Sequence, residues 1–183
     1  MHTMWMKVFL MTVAVSMLIL AACGNKTVSG ESSGKGTEYE GDEGGVPVEM
    51  SKVVHFLFED HSGRYGAFEK SYALDVEAED IVVKIRLDGA DEEDALVFAS
   101  DEEFLDCLEK IVTENHVEGW NGFSLNAKDV KDGDSFYLTI RMDNGQTISA
   151  RGYEAWPEGY KKALGELDAL FGELIGEQSA SES

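Results

Sequence analysis

The chain has 183 residues, with 36 Asp and Glu against 15 Lys and Arg, so its formal net charge is −21 at pH 7. This charge argues against nucleic-acid binding, which requires basic patches. It also argues against a protein that lies flat on an anionic leaflet, because the leaflet repels it. A cationic partner remains, and so does the simpler explanation that the charge keeps the protein soluble.

The first 22 residues are predicted to be a signal peptide. After Lys7, residues 8–20 form an uncharged run of 13 residues. This run is shorter than the roughly 20 apolar residues that cross a bilayer, but it fits the roughly 7–15 of a signal-peptide apolar region. We therefore expect residues 1–22 to be removed during export.

The residues Leu20, Ala21, Ala22 and Cys23 resemble the lipobox of bacterial lipoproteins. The resemblance implies that the signal peptidase recognises the first three and that Cys23 becomes the lipidated N-terminus. Two acyl chains would hold the protein stably on the extracytoplasmic face of the cell membrane. The alternative is a plain secretory signal followed by a chance cysteine. With Cys23 modified, Cys107 has no partner in the chain, so no internal disulfide is expected.

Residues 23–50 are predicted to be the lipidated cysteine and a flexible tether. The segment is rich in Gly, Ser and acidic residues, and such a composition buries too little apolar surface to offset the entropy of ordering. Only Lys7 is charged before Cys23, so the chain from Cys23 onward has 14 basic and 36 acidic residues, a formal charge of −22.

Residues 51–176 are predicted to form one globular domain. Residues 52–58 are β-branched and aromatic and predict a strand. Residues 71–78 and 81–87 alternate with period two and predict two half-buried strands joined by a hairpin. The apolar run at residues 95–99 predicts another strand.

Ser100 and Glu103 have the spacing of a capping box, which predicts that a helix begins there. The apolar stripe that follows indicates an amphipathic helix ending near Asn115. Cys107 falls near the edge of that stripe and is expected to be buried, as free cysteines usually are.

The second half repeats the pattern of strands followed by a helix. Residues 136–142 alternate, and Asn144-Gly145 predicts a type I′ hairpin to residues 147–150. Pro157 is favoured at the first position of a final helix, and residues 177–183 are predicted to be a disordered tail. The order predicts an α+β fold: an antiparallel sheet of about five to six strands with two amphipathic helices packed on one face.

The sequence has no H-E-x-x-H motif, and we predict neither a metal site nor a cofactor. His55 and His61 flank Glu59-Asp60, but a solvated junction between strand and loop explains them better than metal ligation does. The acidic loops at residues 88–94 and 129–134 resemble calcium loops. Their twelfth positions, however, are Ala99 and Ile140, which cannot supply the bidentate carboxylate.

The aromatic residues near element boundaries are the most suggestive candidates for binding. Trp120, Asn121, Phe123, Tyr153 and Trp156 combine rings with polar neighbours, and such sets stack on sugars or clamp peptides. The competing interpretation is that the two tryptophans close the core beside a helix end.

The stretches at residues 120–123 and 132–136, together with the lipobox and spacer, resemble small uncharacterised lipoproteins of Gram-positive bacteria. The resemblance carries no catalytic residues. We expect a membrane-anchored, non-enzymatic binding module for a cationic peptide, a protein or a cell-envelope component. The alternatives are an immunity or inhibitor lipoprotein that protects the producing cell, and an enzyme that uses carboxylates such as Asp88, Asp91 or Asp132.

Overall fold

The computed structural model describes residues 37–63, 67–78 and 80–181, which form an α+β fold. In chain order the strands and helices are β1 (Tyr39–Glu43), β2 (Val53–Ser62), β3 (Ala67–Glu77), β4 (Asp80–Leu87), β5 (Leu96–Ser100), α1 (Glu102–Glu114), β6 (Phe123–Ala127), β7 (Ser135–Met142), β8 (Thr147–Tyr153) and α2 (Tyr160–Ser181). None of the described helices is both long enough and apolar enough to cross a membrane.

All eight described strands belong to one sheet, in the order β1-β6-β8-β7-β2-β3-β4-β5. Neighbours run antiparallel except β6 and β8, which pair in parallel over only three residues. The sheet is therefore mixed and larger than the antiparallel sheet of five to six strands that the sequence predicts. The two unpredicted strands, β1 and β6, lie in segments that composition marks as tether and loop.

Strand β1 corrects the predicted tether, because residues 39–50 belong to the ordered body. All five β1 side chains are exposed, and the strand is held by its backbone pairing with β6. Beyond the strand, the Gly45 and Val46 amides donate to the Gly119 and Asn121 carbonyls at 3.1 Å. Composition could not predict that this segment is structured, because composition indicates how much apolar surface can be buried and not which backbone groups pair.

The predicted tail is also wrong in part, since the backbone of α2 is helical to Ser181. Once a helix is nucleated, each further residue adds one backbone hydrogen bond at little cost.

Phe171 of α2 lies at the centre of the core. Its ring stacks on Tyr72 of β3 with 4.5 Å between centroids and on Phe56 of β2 at 6.0 Å. Phe104 of α1 meets the same ring edge-on at 5.3 Å. One side chain thus joins both helices to β2 and β3.

Helix α1 begins one residue later than predicted. Its N-cap is Asp101, whose carboxylate accepts a hydrogen bond from the Phe104 amide at 3.0 Å. Leu105 and Leu108 are fully buried, but Cys107 is exposed, so its predicted burial is wrong. At about 100° per residue, Cys107 points more than a quarter-turn away from the centre of the buried stripe.

The predicted hairpins are confirmed, with one correction of turn type. β3 and β4 pair directly up to Glu77 and Asp80. Between β7 and β8, the Gly145 amide donates to the Met142 carbonyl at 3.0 Å, and the Met142 amide donates to the Gln146 carbonyl. Gly145 has φ +81° but Asn144 does not have positive φ, so the connection is a three-residue loop and not a type I′ turn.

Candidate functional site

The strand residues that alternate with the core residues form a second surface of the sheet, which we call the polar face. Its members are register partners across neighbouring strands, because paired residues point to the same side. They are His55, Leu57 and Glu59 of β2, Ser71, Ala73 and Asp75 of β3, Val82, Lys84 and Arg86 of β4, Tyr137, Thr139 and Arg141 of β7, and Thr147, Ser149, Arg151 and Tyr153 of β8.

Arg86, Arg141 and Arg151 are the three arginines in the described part of the chain, and all lie on the polar face. Arg86 reaches across β3 to Glu59, with 2.9 Å between Nη2 and Oε1. Arg141 and Arg151 are exposed, and neither forms an ion pair or a side-chain hydrogen bond with a described residue. The register places Lys84 and the three arginines on this face together with carboxylates, so the face is close to neutral in a chain of net charge −21; the carboxylates include Glu40, Asp42, Glu59 and Asp75.

Two shallow depressions of about 150 and 310 Å³ meet at Arg151. Asn126, Tyr137 and Tyr153 line the first, and Asn121, Ser124 and Ser149 line the second. Tyr137 is the register partner of Arg151 on β7, and Ser124 is its partner on β6. The guanidinium therefore stands between a phenol ring and a hydroxyl group.

The chemistry of these groups suits a polar ligand that carries negative charge. A guanidinium offers a planar fork of donors that matches carboxylate and phosphate oxygens. The Tyr137 ring is 48% exposed and offers an aromatic surface for stacking. The neighbouring Asn and Ser side chains both donate and accept hydrogen bonds, as recognition of hydroxyl groups requires.

Asn121 fixes one wall of the site. Its Oδ1 accepts from the Ser149 amide at 3.0 Å, and its Nδ2 donates to the Val46 carbonyl at 3.4 Å. The Gly122 amide also donates to the Ser149 carbonyl at 2.9 Å. Asn121 thus ties the entry to β6 against β8 and against the segment that follows β1.

Tyr153 fixes the opposite wall. Its hydroxyl accepts from the Gly133 amide at 2.8 Å and donates to the Val130 carbonyl at 3.4 Å. These bonds hold the loop between β6 and β7 beside the end of β8. Asn121 and Tyr153, both predicted binding residues, therefore border the two depressions that meet at Arg151.

Of the other predicted aromatic residues, Phe123 lines the second depression, whereas Trp120 and Trp156 line neither. Trp120 is 5% exposed, and its Nε1 donates to the Glu158 carbonyl at 3.0 Å, so its ring closes the core as the competing interpretation expects. Phe123 is also buried, with its ring 6.1 Å from that of Phe136. Trp156 is 40% exposed and rests against Tyr160, away from both depressions.

Arg151 and Tyr137 are the site residues that the sequence did not single out. Tyr137 and Arg141 occupy polar positions in the predicted strand at residues 136–142, which is a signal that they share a face. Arg151 lies one residue beyond the predicted end of its strand, so its place on that face could not be inferred.

The histidines form separate pairs with carboxylates. Nδ1 of His55 is 2.6 Å from Oδ1 of Asp75. Nε2 of His61 is 3.9 Å from Oε2 of Glu59, and its ring meets Tyr137 edge-on. Within residues 37–63, 67–78 and 80–181, no three His, Cys, Asp or Glu side chains gather as metal ligands would.

The carboxylates named for an enzymatic alternative lie in two different loops. Asp88 and Asp91 lie between β4 and β5, whereas Asp132 lies between β6 and β7. Strands β4 and β7 are separated by β3 and β2, which corresponds to roughly 14 Å between their axes.

A second titratable cluster lies under α2, on the core side of the sheet. Lys70 Nζ is 2.8 Å from both carboxylate oxygens of Asp168, and the Tyr72 hydroxyl donates to the same carboxylate at 2.8 Å. Burial raises the pKa of Tyr72 and of Asp60, and the nearby Asp168 carboxylate raises both further. Burial also raises the pKa of Tyr160, with a contribution from Asp60. This cluster joins α2 to β2 and β3.

Comparison with protein-family models, curated proteins and solved structures finds no match to this chain. The surface around Arg151 is thus characterised by its own chemistry: a guanidinium that pairs with no described residue, an exposed phenol ring, and amide and hydroxyl groups on walls that Asn121 and Tyr153 hold in place.

Proposed function

We propose that this protein is a non-enzymatic binding module, anchored by lipid at Cys23 to the extracytoplasmic face of the cell membrane, whose polar face holds an anionic component of the cell envelope. The observation that carries the proposal is that Arg141 and Arg151, both exposed on one face of a chain of net charge −21, pair with no described residue. Solubility accounts for the acidic surface of such a protein, but it does not account for exposed arginines that pair with no described carboxylate.

The proposal includes an arrangement in which both helices cover the core side and leave the polar face uncovered. Phe171 of α2 stacks on Phe56 and Tyr72, and Phe104 of α1 contacts Phe171. Arg151 and Tyr137, on the alternate positions, remain exposed. A rigid sheet with one covered face presents its other side chains at fixed spacing, which lowers the entropic cost of binding.

The expected ligand is a polyhydroxylated chain that carries phosphate or carboxylate groups. Its charge would pair with Arg151, and its hydroxyl groups would meet the amide and hydroxyl groups that line the depressions. The cationic ligand expected from net charge alone does not suit this face, because like charges would meet there.

The test uses the full-length protein in non-ionic detergent with a fluorescein-labelled polyglycerol phosphate oligomer and a neutral dextran of matched length. Arg151→Gln should weaken binding of the anionic oligomer about tenfold, since a charge-assisted hydrogen bond contributes about 1.5–3 kcal/mol. Lys161→Gln removes the same charge from an exposed position on α2 and should change affinity less than about twofold.

Fluorescence anisotropy at two salt concentrations measures both affinities. Equal loss in the two variants would show that only net charge matters. Equal binding of dextran and of the anionic oligomer, or no binding of the anionic oligomer, would contradict the proposal.

A further inference from the structure

The two edges of the sheet differ in how they are protected against pairing with other strands. β1, at one edge, has three acidic residues in five, and Gly41 within it has φ +128°. β5, at the other edge, reads Leu-Val-Phe-Ala-Ser and has no charge. Charges and irregular backbone are the usual protection of an edge, so β5 is the unprotected one.

The outer side of β5 is open in the described part of the chain. All five β5 residues pair with β4, and no described segment bonds to the strand from the other side. Val97 is 61% exposed and Leu96 is 39% exposed, on opposite faces of the sheet. Alternate backbone amides and carbonyls therefore face solvent between apolar side chains.

Acidic residues stand at both ends of this strand. Residues 91–94 read Asp-Glu-Glu-Asp and lead directly into β5, and residues 101–103 read Asp-Glu-Glu and follow it. Asp101 caps α1, and Glu102 pairs with Lys52 at 2.9 Å. The carboxylates of residues 91–94 and of Glu103 are exposed and have no ion pair with a described residue.

The acidic residues at both ends of β5 determine which kind of strand can pair with its open side. A second copy pairing antiparallel through β5 would place residues 91–94 of one molecule beside residues 101–103 of the other, and like charges so close destabilise a pair. An extended peptide with an uncharged centre and basic ends would instead meet opposite charge at both ends.

We propose that the β5 edge accepts a basic-flanked extended peptide segment as a ninth strand. Backbone hydrogen bonds along Leu96–Ser100 supply the pairing, and contacts with Leu96 and Val97 favour β-branched residues in the peptide centre. This surface is separate from the one around Arg151, since β7, β2, β3 and β4 lie between β8 and β5.

The test measures binding of a fluorescein-labelled peptide, Lys-Lys-Val-Thr-Val-Thr-Val-Lys-Lys, to the full-length protein in non-ionic detergent. Two control peptides differ in one property each: one has Glu at the four Lys positions, and the other has alternate backbone amides N-methylated. Both controls should bind at least tenfold more weakly. In amide NMR spectra, the unmodified peptide should shift the signals of Leu96–Ser100 most strongly.

Val97→Lys places a charge on the exposed edge and should lower affinity for the basic peptide at least tenfold. Thr147→Lys makes the same change at an exposed position in β8 and should lower it less than twofold. Thermal unfolding of both variants verifies that the fold is kept. Equal binding of the Lys-flanked and Glu-flanked peptides would overturn the proposal. So would an unchanged affinity in Val97→Lys, or a concentration-dependent dimer that Val97→Lys abolishes.

Discussion

The fold surrounds the Asp60 carboxyl group with groups that disfavour its ionised form. Asp60 lies on the core side of β2 as the register partner of Lys70, and the Asp168 carboxylate that pairs with Lys70 is nearby. Burial raises its pKa, and although Lys70 opposes the rise, the neighbouring carboxylates add to it. Ionised Asp60 is therefore disfavoured in the folded state relative to the unfolded chain.

Asp60→Asn should raise the free energy of unfolding at neutral pH. An acid whose pKa is raised by folding contributes most to stability below its ordinary pKa of about 4, and that contribution is lost as the pH rises through the folded-state pKa. The difference in free energy of unfolding between the variant and the natural protein should therefore grow from pH 4 upward and then level off. Urea denaturation at several pH values measures it, with the exposed Asp88→Asn as a control. A difference that grows towards acid pH would contradict this assignment.

The site could be predicted only in part, residue by residue. Asn121 and Tyr153 were identifiable because polar and aromatic side chains at element boundaries often border clefts. Trp120 has the same sequence signal, yet its indole bonds to the Glu158 carbonyl inside the core. Whether a boundary aromatic side chain points inward depends on what packs on it from α2, and no local pattern contains that information.

Among the elements, the β7–β8 hairpin and helix α1 follow from local rules, whereas β1 and β6 do not. The alternation of residues 136–142 and the Asn-Gly pair specify the hairpin within one stretch of chain. β1 pairs with β6 across some eighty residues, and the pairing depends on Gly41, whose φ is +128°. A side chain there would place Cβ 1.8 Å from the Ser124 carbonyl oxygen.

Gly41→Ala should separate β1 from β6. The clash with the Ser124 carbonyl adds to the strain of a positive φ, so we expect a loss of more than about 2 kcal/mol in local stability. Gly45→Ala is the matched control, since Gly45 also has positive φ but a Cβ there meets nothing within 4 Å. We expect this variant to lose about 1 kcal/mol in local stability. Hydrogen exchange of the amides in Phe123–Ala127 measures the opening. Equal exchange in both variants would mean that β1 does not depend on this contact.

For the molecule as a whole, net charge does not show how charged residues are distributed over the two faces of the sheet. The formal charge of −21 predicts a uniformly acidic body, yet the described arginines all lie on the polar face. Strand alternation sorts side chains to two sides with period two, so a few basic residues at matching positions accumulate on one of them. Net charge alone therefore pointed towards a cationic ligand, but the distribution of charge distinguishes two surfaces with different preferences.

Cys23→Ser should release the exported protein from the membrane, because without acyl chains nothing in the proposal holds it there. We expect labelled palmitate to be absent from the variant and the protein to move from the membrane pellet to the soluble fraction. Cys107→Ser provides the matched control, since Cys107 is exposed on α1 but lies outside the lipobox, and it should keep both label and location. Label that persists in Cys23→Ser, or is lost in Cys107→Ser, would reject lipidation at Cys23.

The strand order also determines how far apart the two edges of the sheet lie. The chain enters the sheet at β1, and β5 lies at the opposite edge, seven interstrand spacings or roughly 34 Å away. The first described strand and the unprotected edge are thus at opposite ends of the sheet. A ninth strand added at β5 would therefore lengthen the sheet at the end away from β1, without contacting that strand.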